Sequence, residues 1–71
     1  MENYKAIIGI YGKANNLIGL FEDQIRATNQ KQARKLANET RQLLSKEYER
    51  KAKLLSVTLT KEIMQVSSLP F

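Results

Sequence analysis

The chain contains no cysteine, no histidine and no tryptophan, and its single proline is Pro70, next to the last residue. Without cysteine there is no disulfide, and without either residue the common zinc sites are excluded as well. Acid–base or nucleophilic chemistry would then rest on seven carboxylates. Most of these are interleaved with Lys or Arg, and the adjacent pair Glu22-Asp23 reads as a solvent-exposed helix end. No glycine-rich loop precedes a helix in phosphate-cradling spacing, since Gly9-Ile10-Tyr11-Gly12 falls inside an apolar stretch. The expectation is a protein that is not an enzyme, with no metal, no other cofactor and no small-molecule substrate.

Long apolar runs are also missing. Nothing approaches the ~20 residues of a membrane-spanning helix, and Ile7–Ile10 is too short for the core of a signal peptide. An intracellular location, cytoplasm or nucleoid, is expected, with a virion as the alternative. The 71 residues make one small domain, 1–71. A chain of this size buries roughly 60% of its unfolded surface and is marginal without staples. With disulfides and zinc excluded, self-association or a helical protein partner is the remaining source of stability.

What is present is 42% hydrophobic residues and a net charge of +5. Tyr4, Ile7, Tyr11, Ala14, Ile18, Phe21 and Ile25 follow one another at steps of three and four. That heptad seam predicts a first helix over about 3–28, capped by Asn3. Gly9, Gly12 and Gly19 oppose it, each costing ~1 kcal/mol relative to alanine in a helix. The competing reading is a β-hairpin with strands Ala6–Tyr11 and Leu17–Phe21 and Asn15-Asn16 at the turn. The seven-membered seam outweighs three glycines, so helix is the expectation.

A second helix is predicted over about 30–67, with 68–71 as a short apolar tail. Asn29 followed by Gln32 approximates a capping box, which puts the turn at Ala27-Thr28-Asn29. Ala33, Leu44, Leu55 and Val66 mark an eleven-residue apolar repeat, the period of a nearly straight superhelix. One continuous helix is a further alternative, because the turn has neither Gly nor Pro. The expected fold is thus all-α, a two-helix antiparallel hairpin or coiled coil with the longer helix second. At 1.5 Å per residue the helices would be roughly 38 and 57 Å long, leaving the end of the second uncovered. Leu55, Leu59, Ile63 and Val66 are therefore the candidate interface, completed into a bundle by a second copy or a partner.

Charge is distributed unevenly. Residues 26–53 hold nine Lys or Arg against Glu39, Glu47 and Glu49, a balance of +6. On a helical wheel Lys31, Lys35, Lys46, Arg50 and Lys53 fall within an arc of ~100°, with Arg34 and Arg41 flanking the apolar seam. A charged face is what any amphipathic helix shows, and pairs such as Glu47–Lys51 would neutralise part of it. The excess still makes these seven cations the candidate polyanion contact, nucleic-acid phosphate being the commonest ligand. No base-reading motif accompanies them, so the contact would be weakly sequence-dependent and strongly salt-dependent.

Arg34-Lys35, Leu43-Leu44, Lys46-Glu47-Tyr48 and Arg50-Lys51 give residues 31–53 a loose likeness in style. That segment resembles the short bacterial linker-histone-like proteins, and the resemblance implies DNA compaction. The lysine-rich tail of that family is absent, replaced by an apolar segment. Two functional expectations follow: non-specific nucleic-acid binding as an oligomer, or a structural or assembly role (virion, scaffold or secretion component) through helix packing.

Overall fold

The computed structural model describes residues 1–60. It replaces the all-α expectation with a ββαβ arrangement, 50% strand and 32% helix. Strand β1 spans Glu2–Tyr11, β2 Leu17–Ala27, helix α1 Gln30–Tyr48 and β3 Lys51–Leu59. The strands form one antiparallel sheet in the order β2-β1-β3. There is neither a helical hairpin nor a coiled coil in the described residues.

The first 27 residues fold as strands because Ile, Tyr and Phe fit a pleated surface better than a helix, and Gly12 then falls in the turn and not inside an element. Along β1, Tyr4, Ala6 and Ile8 are buried on one face while Asn3 and Lys5 are exposed on the other. The hairpin closes through a tight loop. Asn15 N–H donates to Gly12 O at 2.9 Å, and Gly12 N–H donates to Asn16 O at 2.8 Å. Asn15 adopts φ 65°, the left-handed position that a three-residue hairpin loop requires and asparagine tolerates. The hairpin outlined as the competing reading is the one that forms, with both strands longer than that reading drew them.

Helix α1 begins where its cap signals place it. Gln32 N–H donates to Asn29 Oδ1 at 2.8 Å, while Gln32 Oε1 accepts from the Thr28 N–H at 2.7 Å and from its hydroxyl. The helix stops near Tyr48, not near residue 67, because Glu49 turns left-handed at φ 51° and Arg50 N–H donates to Ser45 O. The predicted eleven-residue repeat therefore runs through a helix end into a strand. Ile63 and Val66, the last of the predicted interface residues, lie outside the described residues.

Ala33 and Ala37 are fully buried and, with Tyr4, Ala6, Ile25, Ala27 and Val57, form the core. Small side chains on α1 and on the middle strand let helix and sheet approach closely. All of this lies on one face of the sheet. The other face has no layer over it among the described residues.

Candidate functional site

With two strands at its edges and one face open, the sheet presents three distinct surfaces. The outward side of α1 carries Lys31, Lys35 and Lys46, all exposed. Successive cations sit about 6 Å and 16 Å apart along the axis. Arg34 is exposed on the flank toward β3, and Glu39, exposed one turn after Lys35 on the same outward side, interrupts the line between Lys35 and Lys46.

The other predicted cations are not part of that line. Arg41 is half-buried and structural: its guanidinium donates to Ala52 O at 3.3 Å and to Asn38 Oδ1 at 3.0 Å. Arg50 lies in the turn after α1, its guanidinium donating to Glu49 O. Lys53 belongs to β3 and sits on the opposite face, its ammonium 5.2 Å from the centre of the Tyr11 ring. The seven candidate cations thus divide into a helix set, a lysine on the opposite sheet face and two arginines held by backbone carbonyls. The wheel had carried a helical period past the helix end.

On the open sheet face Lys5, Arg26, Lys51 and Lys53 are exposed. Among the described residues the one ion pair is Lys5–Glu22 at 3.7 Å, between half-exposed side chains. Tyr11, Leu17 and Leu55 close over Gly9, where an added Cβ would lie 3.0–3.1 Å from all three. A β-carbon there would need the ends of these side chains, those of Leu17 and Leu55 being exposed, to give by a few tenths of an ångström. Leu55, a predicted interface residue, is thus part of this small cluster and 46% exposed. Leu59 instead faces Tyr4 across the β1–β3 ladder.

Sequence reasoning missed the third surface, the outer edge of β2. Leu17, Ile18, Leu20 and Phe21 are all exposed, Leu20 at 64%. Beside them a shallow groove is lined by Ile10, Ile18, Gly19, Leu20, Phe21 and Tyr48. The signal was available as an uncharged run, Leu17-Ile18-Gly19-Leu20-Phe21, but a helical reading assigned its residues to a packed seam.

Among the described residues no three His, Cys, Asp or Glu side chains gather to hold an ion. No helix there is long and apolar enough to cross a membrane. The segment likened to the linker-histone-like proteins, 31–53, corresponds to α1, its terminal turn and the start of β3. No family model, no curated protein and no solved structure matches the chain.

Proposed function

We infer that this is a non-enzymatic binding protein that holds nucleic acid by its phosphate backbone through the outward side of α1. The observation that carries this reading is the line Lys31, Lys35 and Lys46, exposed on one helix side and in no ion pair among the described residues. The net charge of +5 supports it by favouring approach to any polyanion. A helix side without aromatic or bidentate Arg readers of bases supports binding that is indifferent to sequence.

The test is a salt series. Replacing Lys31, Lys35 and Lys46 together with Gln is expected to weaken duplex DNA binding whatever the sequence. The slope of log affinity against log salt should flatten by up to about 0.9 for each phosphate that is no longer neutralised. Lys51→Gln with Lys53→Gln, on the opposite face, should leave that slope unchanged. Equal flattening by both sets, or no binding at ~50 mM salt, defeats the reading. A second reading, an assembly role, is favoured by a different observation, the uncharged outer edge of β2.

A further inference from the structure

The two edges of the sheet are built differently, and the backbone pattern shows where. Thr60 N–H donates to Asn3 O at 2.8 Å, so the odd-numbered residues at this end of β1 turn their backbone groups toward β3. The even-numbered residues then face β2, where Tyr4, Ala6 and Ile8 stand opposite Ile25, Asp23 and Phe21. By alternation, Leu20, Glu22, Gln24 and Arg26 point their N–H and C=O groups out of the sheet. On β3 the same alternation turns Ala52, Leu54, Val57 and Leu59 outward, and two of those four carbonyls are already taken. Arg41 donates to Ala52 O, and Gln30 Nε2 donates to Val57 O at 2.8 Å. Lys51, Lys53 and a bulge beside Leu54 protect that edge further.

The outer edge of β2 has no such cover among the described residues. Its first five residues are uncharged and its large side chains there are exposed. Over Gly19 an added Cβ would meet nothing within 4 Å, and this open space is part of the groove bordered by Tyr48. Phe21 lies two residues along the same strand, on the same face. A strand that offers both an aromatic ring and a glycine gap at this spacing is complementary to itself.

We propose that two copies of the chain pair antiparallel along β2, about a two-fold axis at Leu20. In that register Leu20 meets Leu20 of the second copy, and each Phe21 ring covers the other copy's Gly19 and enters its groove, as aromatic side chains do over strand glycines. The product is a six-stranded sheet whose outermost strands are the two guarded β3 edges. Assembly therefore closes at two copies and does not propagate into a filament. The proposal is independent of the nucleic-acid reading, because no cation of α1 takes part in it.

The absence of native cysteine makes the register testable by single substitutions in the full chain. Leu20 would form a hydrogen-bonded pair with its copy, with Cα atoms about 5.5 Å apart. That separation lies inside the roughly 4.4–6.8 Å range of disulfides. On oxidation Leu20→Cys is expected to convert almost completely to a covalent dimer. Gln24→Cys, on the same edge, would place the two substituted positions about 27 Å apart and should stay uncrosslinked. By sedimentation the native chain should show twice the chain mass, and Leu20→Lys the single mass with an unchanged circular dichroism spectrum. A native chain that remains monomeric at millimolar concentration overturns the proposal. So does a dimer that survives Leu20→Lys, or crosslinking through Gln24→Cys in place of Leu20→Cys.

Discussion

The β2 and β3 edges flank the same middle strand, yet one is covered and the other bare. On β3, two helix side chains satisfy outward carbonyls and two lysines stand at the strand's start. On β2, helix α1 makes a polar connection further along, where the Thr40 hydroxyl donates to Asp23 Oδ2 at 2.9 Å. The apolar half from Leu17 to Phe21 lies beyond it. An edge strand is a template for another chain unless charge, bulges or covering groups prevent it. The contrast teaches that protection here is supplied by the helix, and that the helix protects only one side.

The comparison breaks altogether if the shared middle strand fails. Ile8 is the largest fully buried side chain and sits between both edges. Ile8→Ala is expected to cost ~2–5 kcal/mol in denaturant unfolding, enough to unfold much of a marginal domain. A loss below ~1 kcal/mol would mean that the core is not organised around β1.

Next in size is removal of the covering groups on β3. Gln30→Ala and Arg41→Ala should each cost about 0.5–1.5 kcal/mol, the net worth of an intramolecular hydrogen bond. Both variants should also aggregate more readily than the native chain, since they uncover a second edge. Leu20→Ala, at the bare edge, should change unfolding of the monomer by less than about 0.5 kcal/mol. Light scattering beside the unfolding curves separates the two effects. Equal losses from Leu20→Ala and Gln30→Ala would erase the distinction between the edges.

A gain of similar or smaller size is expected at the helix end that delivers the chain to β3. Glu49 holds a left-handed conformation at φ 51°, which glycine adopts without a β-carbon penalty. Glu49→Gly should stabilise the fold by roughly 0.5–1 kcal/mol in chemical denaturation. A loss would show that the Glu49 side chain contributes more than its backbone geometry costs.

That same residue explains part of what could not be read from the sequence. The start of α1 was legible because Asn29 and Gln32 are a local cap, complete within four residues. Its end was not, because no glycine marks it and Glu49 occupies the position glycine would usually take. The apolar repeat then ran on into Leu55 and Leu59, which belong to a strand. In the first 27 residues two periods overlap. Tyr4, Ile7, Tyr11 and Ile18 satisfy helical spacing, while Tyr4, Ala6, Ile8 and Ile10 satisfy a strand. Residue type decides between them, since Ile, Tyr and Phe favour strands and three glycines disfavour a helix.

The candidate surfaces were legible to the same extent as the elements beneath them. Lys31, Lys35 and Lys46 share a helix side because α1 was placed correctly there. Lys53 shares their arc only on a wheel that ignores the chain's turn at Glu49, and Arg41, flanking the apolar seam on that wheel, meets a carbonyl that no wheel shows. The β2 edge was invisible to any helical reading, because an edge exists only once strands have an order.

Amide hydrogen exchange, followed residue by residue as protein concentration is raised, tests the asymmetry of the two edges most directly. The outward amide of Leu20 should gain protection with concentration, as the two copies pair. Those of Ala52 and Val57 on β3 should exchange at rates that do not depend on concentration. A Leu20 amide indifferent to concentration, or protection gained on β3 instead, would contradict the account.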